Sequence, residues 1–255
     1  MPADPAERFT NRVADYAASR PGYPQAVFDC LRDEFGLKPG DHVADIGSGT
    51  GLSTAPLLEA GCVVAAVEPN DAMRSAAEAW LAGRPGFRSI AARAEATSLP
   101  DASVDWVLAA QAFHWFDVPR CRQEFARILR PGGRVVLLWN DLWADSPVSQ
   151  GYLAVVRRYA LDYDRVCHQN AEADGRIAQL YAPTTPERRT FANRQMLDWA
   201  GLRGRLLSSS FMPPADHPTA PTMLAELRAL FDRHAAGGMV CLEYQTRLFV
   251  GTCQA

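Results

Sequence analysis

The feature that most limits what this chain can become is Val43-Ala-Asp-Ile-Gly-Ser-Gly-Thr-Gly-Leu52, where an apolar run breaks into Gly47, Gly49 and Gly51. Glycine accepts positive φ and lets a backbone approach a ligand with no Cβ in the way. A turn of this kind between a strand and a helix belongs to an open α/β sheet, whose ligands bind beyond the carboxyl ends of the strands. It is not the dinucleotide fingerprint, because Leu52 stands where the third glycine is needed. No Lys-Ser/Thr follows, so it is not a phosphate loop of the nucleotide hydrolases either. Taken alone, the turn is equally a tight connection with no ligand.

Three further apolar runs have the same character: Cys62-Val-Val-Ala-Ala-Val-Glu68, Val104-Asp-Trp-Val-Leu-Ala-Ala110 and Val135-Val-Leu-Leu-Trp139, the last after the turn Arg130-Pro-Gly-Gly133. Phe87-Arg-Ser-Ile-Ala91 is a weaker strand. Continuously apolar strands are what a parallel sheet covered on both faces requires. Between them the spacing turns helical, with Val27, Leu31 and Phe35 on one stripe and Cys121, Phe125, Ile128 and Leu129 on another. Near the C-terminus, Val240, Leu242, Tyr244, Leu248 and Val250 alternate with Glu243, Gln245 and Arg247. That alternation predicts an antiparallel strand near the margin of the sheet.

Residues 141–200 carry Trp143, Tyr152, Tyr159, Tyr163 and Tyr181 but no run that reads as a strand. This segment is expected to be a mainly helical insertion, either a substrate lid over one end of the sheet or a packing subdomain. The resulting division is a helical cap segment at 1–36, a cofactor-binding core at 37–140, the insertion at 141–200, and C-terminal strands and helix at 201–255 that complete the sheet.

With 26 Lys and Arg against 29 Asp and Glu, a net charge of −3 gives no field for holding a polyanion, and no nucleic-acid partner is expected. No apolar stretch approaches the roughly 20 residues of a membrane-spanning helix. The first residues lack the basic and apolar regions of a secretory signal, so a cytoplasmic protein is expected. Six cysteines without a C-x-x-C pair and five histidines without metal-ligand spacing predict neither disulfides nor a metal site.

Two acidic residues sharpen the ligand reading. Asp45 immediately precedes the glycines, and Glu68 ends the second apolar run, where a carboxylate can accept two hydrogen bonds from vicinal ribose hydroxyls. In this order, Asp45-Ile-Gly-Ser-Gly-Thr-Gly51, Val67-Glu-Pro-Asn70, Ala94-Glu-Ala-Thr-Ser-Leu-Pro-Asp101 and Leu129-Arg-Pro-Gly-Gly133 resemble the successive motifs of the class I S-adenosylmethionine-dependent methyltransferases of the type 11 superfamily. Tyr16-Ala-Ala-Ser-Arg-Pro-Gly-Tyr-Pro24, Ala110-Gln-Ala-Phe-His-Trp-Phe116 and Tyr244-Gln-Thr-Arg-Leu-Phe-Val250 resemble its small-molecule branch that includes trans-aconitate-methyltransferase-like proteins.

The resemblance implies a Rossmann-like α/β fold, with a doubly wound, mostly parallel seven-stranded sheet whose last strand is antiparallel, and S-adenosylmethionine as cofactor. By resemblance, Asp45, Gly47, Ser48, Gly49 and Gly51 lie at the methionine part of the cofactor, and Glu68 and Pro69 at the ribose. Met73, Ala94 and Glu95 meet the adenine, Gln111 lies near the sulfonium, and Tyr16 and Arg20 close over the amino-acid carboxylate. Many members carry an acidic residue where Arg93 stands.

The activity implied is methyl transfer to a small organic acceptor, with a carboxylate or hydroxyl oxygen expected. For a hydroxyl or protonated amine, His114 is the candidate general base, although a structural or cofactor contact is its other reading. Phe113 and Trp115 are expected to be core aromatics. The alternative from another class is a cofactor-binding protein without catalysis, acting as a sensor or assembly subunit.

Overall fold

The computed structural model describes residues 19–162 and 174–253. Its elements alternate in the first half of the chain: α1 (Gln25–Asp33), β1 (His42–Ile46), α2 (Thr54–Glu59), β2 (Val63–Val67), α3 (Asp71–Leu81), β3 (Phe87–Ile90), β4 (Val104–Ala110), α4 (Val118–Ile128) and β5 (Leu129–Leu142). A 3-10 turn, Phe113–Trp115, sits between β4 and α4. The second half holds α5 (Pro147–Tyr159), α6 (Arg176–Tyr181), β6 (Glu187–Leu197), α7 (Trp199–Leu207), α8 (Ala220–His234) and β7 (Val240–Gly251).

The strands form one seven-stranded sheet in the order β3-β2-β1-β4-β5-β7-β6. Neighbours from β3 to β5 are parallel, whereas β7 pairs antiparallel with both β5 and β6. The order reverses between β1 and β4, and a crevice at such a reversal is where open sheets take ligands.

The central strands of the sheet are buried on both faces, as their apolar sequences demand. Ala44, Val107 and Leu137 point to a core closed by Phe125 and Ile128 of α4. Their neighbours Val43, Leu108 and Val136 point to the other side, onto Val27 and Leu31 of α1. This period-two split makes every apolar residue of these strands useful. Side chains also cap helices that frame the site: Asn70 Oδ1 accepts from the Met73 N–H at 2.9 Å at the start of α3, and Asp117 Oδ1 accepts from the Arg120 N–H at 3.2 Å at the start of α4.

Two expectations need correction. The segment 141–200 is not free of strands, because β6 runs through Glu187–Leu197. Its sequence, Glu-Arg-Arg-Thr-Phe-Ala-Asn-Arg-Gln-Met-Leu, has too few apolar residues to announce a strand. It forms one because β7 offers a complete ladder, paired from Glu187↔Val250 to Leu197↔Val240. β7 thus lies near the margin as expected, antiparallel and one strand in, while β6 is the edge, and its charged residues suit that place. Residues 201–255 contribute one strand rather than several. A third core, built on Leu197 of β6 and Val240, Leu242 and Tyr244 of β7, joins Tyr152 and Val156 of α5 with Leu202 and Leu206 of α7 and Met223 and Leu227 of α8.

Candidate active site

The glycine turn leaves β1 at the carboxyl edge of the sheet, and its backbone conformation explains its composition. Gly47, Gly49 and Gly51 have φ of 69°, 56° and 90°, all in the left-handed region that favours glycine. The three do different jobs. A Cβ on Gly47 would lie 2.6 Å from Ala112 Cβ, so this glycine lets the turn touch the segment after β4. A Cβ on Gly51 would lie 2.8 Å from Leu81 Cδ1, so this one seats the turn against α3. A Cβ on Gly49 would meet nothing within 4 Å, because that position faces open space.

That space is a cleft of about 800 Å3 including its mouth, a size suited to a nucleoside-sized ligand. Its lining includes Gly47, Gly49, Glu68, Pro69, Met73, Ala94, Glu95 and Gln111, eight of the expected cofactor residues brought together from four segments. Glu68, at the end of β2, is 8% exposed. Its Oε2 accepts from the Gly49 N–H at 2.9 Å and its Oε1 from the Asn70 N–H at 2.8 Å. Burial raises its pKa, against the lowering effect of these two N–H groups and of Arg74. Each oxygen keeps lone-pair capacity for a further donor.

Gln111 has φ of 56°, a conformation costly for a residue with a side chain and common at functional sites. Two bonds hold it, from its N–H to Leu138 O at 2.8 Å and from Nε2 to Asn140 O at 3.1 Å. The Glu95 carboxylate receives the Asp117 N–H at 3.0 Å, tying the cleft to the start of α4.

Other expected residues stand elsewhere. Asp45 is fully buried under the turn rather than on the cleft; its Oδ2 accepts from Ser53 Oγ at 2.8 Å and Thr54 Oγ1 at 2.7 Å. Its Oδ1 has no hydrogen-bond partner, and burial pushes the carboxyl up to about 6. Ser48 is buried, with its N–H given to Val67 O, and Gly51 packs on α3, so neither is on the lining. Arg20 donates from Nη2 to Ser208 O at 3.0 Å, at the C-terminal end of α7 and off the cleft lining. Tyr16 lies outside the described residues, as do Tyr163, Cys167 and His168. His114 is on the 3-10 turn beside the cleft, with its ring centroid 4.7 Å from that of Trp115, but it is not on the lining.

The lining also contains Asn70, Arg93, Ala110, Ala112, Trp115 and Phe116. Trp115 corrects the expectation that it fills the core. Phe113 does so, fully buried against Phe116 and Trp139. The tight 3-10 turn sends the side chain two residues later to the opposite side. The motif around 110–116 held the signal, but periodicity could not say which aromatic faced out. Trp139 and Asn140, which end the apolar part of β5, are buried off the cleft.

Arg176, at the start of α6, braces this wall from behind. Its Nη1 donates to His114 O at 3.0 Å and its Nη2 to Phe116 O, and its guanidinium lies 5.7 Å from the centroid of the Phe113 ring. Among the described residues no cluster of His, Cys, Asp or Glu fits a metal ion, and no helix is long and apolar enough to cross a membrane.

The comparisons with known proteins fall on the segment that builds this cleft. Residues 44–137 match the family model described as a methyltransferase domain. The matched segment runs from β1 through most of β5 and carries every residue of the lining. An uncharacterized methyltransferase of Mycobacterium tuberculosis is 42% identical over 132 residues, 52% of this chain and 51% of that protein. The chain therefore spans about half the length of that relative. A solved structure from Anaeromyxobacter dehalogenans, described as a type II methyltransferase, superposes with a TM-score of 0.65 at 24% identity, covering 92% of this chain and 98% of that one. Geranyl diphosphate methyltransferase in complex with S-adenosylmethionine gives 0.51 at 17% identity, covering 99% and 92%. The fold is the Rossmann-like α/β fold of methyltransferases, with the seven-stranded sheet expected.

Proposed function

We propose that the chain is an S-adenosylmethionine-dependent methyltransferase of the small-molecule branch, acting on an oxygen of a small organic acceptor, a carboxylate or a hydroxyl. The observation that carries this reading is Glu68. A nearly buried carboxylate at the end of β2, pinned by the Gly49 and Asn70 N–H groups and open to the cleft, suits a ribose diol. It would repel a 2′-phosphate. The cleft passes a second test of fit: only glycine at position 49 keeps its floor clear of a Cβ. A protein of the same fold is known with S-adenosylmethionine bound, which agrees with the assignment.

In this reading Gly47 and Gly49 receive the methionine part, Glu68 and Pro69 the ribose, and Met73, Ala94 and Glu95 the adenine, with Trp115 and Phe116 as an aromatic wall. Gln111 stands at the sulfonium end. When bound, S-adenosylmethionine supplies a methyl group on a positively charged sulfur, which leaves by in-line displacement. The chain's residues align the reactants and exclude water. Arg176 fixes the aromatic wall, and the two hydrogen bonds on Gln111 hold its amide in one orientation. A carboxylate acceptor needs no base. A hydroxyl acceptor needs one, and His114, beside the cleft, is the residue proposed. No observation favours a cofactor-binding protein without catalysis.

Calorimetry with S-adenosylmethionine, S-adenosylhomocysteine and NAD tests the reading. Both sulfur ligands should bind with one-to-one stoichiometry and NAD should not; NAD binding without a response to either sulfur ligand would overturn it. A metabolite screen for acceptor-dependent release of S-adenosylhomocysteine then identifies the acceptor. In that assay His114→Ala should slow turnover with cofactor affinity intact if a hydroxyl is methylated.

A further inference from the structure

Beyond the carboxyl end of β5, a second group of polar side chains converges that the cofactor reading does not use. Arg205 of α7 donates from Nε to Tyr244 Oη at 3.1 Å and from Nη1 to Ser209 Oγ at 3.2 Å, and its guanidinium lies 5.8 Å from the centroid of the Tyr244 ring. Tyr244 Oη donates to Gln195 Oε1 at 3.2 Å. Arg20 reaches the same place through Ser208 O, the residue beside Ser209. Tyr152 of α5 belongs to the same buried cluster as Tyr244, is 3% exposed, and its hydroxyl has no hydrogen-bond partner.

An unpaired buried hydroxyl is costly and uncommon. Burial raises the Tyr152 pKa to about 12 against the lowering influence of Arg205 and Arg20, so the group remains a neutral O–H donor. It is thus a donor without an acceptor, within the electrostatic reach of two guanidinium groups.

A path of hydrogen bonds leads from the cleft toward this group and stops two residues short of it. Gln111 Nε2 donates to Asn140 O, and Asn193 Nδ2 donates to Asn140 Oδ1 at 3.1 Å. Gln195 lies two residues, about 7 Å, farther along β6 on the same face. Leu142 pairs with Tyr244 in the sheet, which puts the group on the carboxyl side of β5, the side to which the glycine turn also belongs.

We propose that Arg205 and Arg20, with the hydroxyls of Tyr152 and Tyr244, form a subsite for an oxyanion carried by the acceptor, a carboxylate or a phosphate. The word acceptor rests on the methyltransferase reading; the anion subsite does not. Planar guanidinium groups suit the paired oxygens of such an anion, and the Tyr152 O–H supplies a third donor.

The test titrates citrate and, separately, inorganic phosphate into the full chain saturated with S-adenosylhomocysteine, at constant ionic strength. At least one anion should bind saturably, and which one binds tells carboxylate from phosphate. Tyr152→Phe and Arg205→Gln should each weaken that binding about tenfold or more, with S-adenosylhomocysteine affinity unchanged. Tyr152→Phe should leave the melting temperature of the anion-free protein unchanged or raised, because the lost hydroxyl has no partner there. Saturable binding by neither anion, or wild-type affinity in both variants, would overturn the proposal. Failure of S-adenosylhomocysteine to bind at all would strike the methyltransferase reading instead, and the anion titrations are then read on the free protein.

Discussion

The backbone N–H of Gly49 donates to Oε2 of Glu68 at 2.9 Å, so the turn after β1 and the end of β2 are one unit. The bond joins the residue whose missing side chain keeps the cleft open to the most deeply buried carboxylate on the cleft lining. Replacing Glu68 should therefore do two things at once. Glu68→Ala should weaken S-adenosylhomocysteine binding by about 1.5–3 kcal/mol, the range for hydrogen bonds to a charged group, and should leave the Gly49 N–H without its partner. Glu68→Gln should recover part of the loss, since its amide oxygen can still accept from a backbone N–H. Calorimetry on the two variants checks this; unchanged affinity in both would remove Glu68 from the binding site.

Gly49 and Gly51 separate function from stability. Gly49→Val places a branched side chain in the cleft at a φ of 56° and should abolish cofactor binding in a folded protein. Gly51→Ala drives a Cβ to 2.8 Å from Leu81 at a φ of 90°. It should cost about 1–3 kcal/mol of stability, as overpacking does, whatever ligand is present. Urea unfolding and calorimetry on both variants would show the two effects crossing.

Asp45 makes stability depend on pH in a direction opposite to that of a salt-bridged carboxylate. Burial, opposed by the Ser53 and Thr54 hydroxyls, pushes its carboxyl up to about 6 in the folded protein, above its ordinary value. Between about pH 4 and pH 6 the folded state then holds more protons at this site than the unfolded state. Its contribution is full below about pH 4, is lost as pH rises toward 6, and is flat above. The loss is on the order of 2–3 kcal/mol. Asp45→Asn should remove this slope, so the stability difference between variant and wild type should change by that amount between pH 4 and 7 in urea titrations. A pH-independent difference would mean that Asp45 is not held in a depressed acidity.

Arg176 acts on the cleft without touching it. Arg176→Ala frees the carbonyls of His114 and Phe116, which the guanidinium holds together. The wall formed by Trp115 and Phe116 should loosen, and S-adenosylhomocysteine affinity should fall by up to about 1.5–3 kcal/mol, the worth of one charged hydrogen bond. Arg176→Lys should restore part of it, as a single point donor can serve one carbonyl at a time. Tryptophan fluorescence should change on ligand binding in the wild type through Trp115 on the lining, and should respond less in Arg176→Ala. Equal affinity and equal fluorescence response in all three proteins would show that the brace has no bearing on the cleft.

Much of the central sheet can be read from local pattern. The apolar run ending at Ile46 becomes β1, that ending before Glu68 becomes β2, and 104–110 becomes β4. Strands buried on both faces advertise themselves without help from their neighbours. The cleft is legible for a similar reason: a side-chain-free turn and a strand-end carboxylate have few uses besides contact with a ligand, and they prove to be hydrogen-bonded to each other. The inner aromatic at Phe113 and the outer one at Trp115 look alike in sequence, because a 3-10 turn leaves no periodic trace over three residues.

The sequence by itself determined the parallel half of the sheet, the conformation of the glycine turn, and the chemistry at the end of β2. These depend on local backbone freedom and on whether a strand can be covered on both faces. Only the tertiary structure decided that 187–197 is a strand, that β7 lies inside the sheet, and that Arg176 braces a wall 60 residues away in the chain. It also decided that Asp45 lies buried against Ser53 and Thr54 rather than on the cleft lining. The physical reason is the same throughout: an edge strand, a brace and a buried anchor take their roles from partners distant in sequence, and β7, the loop at 114–116 and the hydroxyls of Ser53 and Thr54 exist as partners only once the chain has folded.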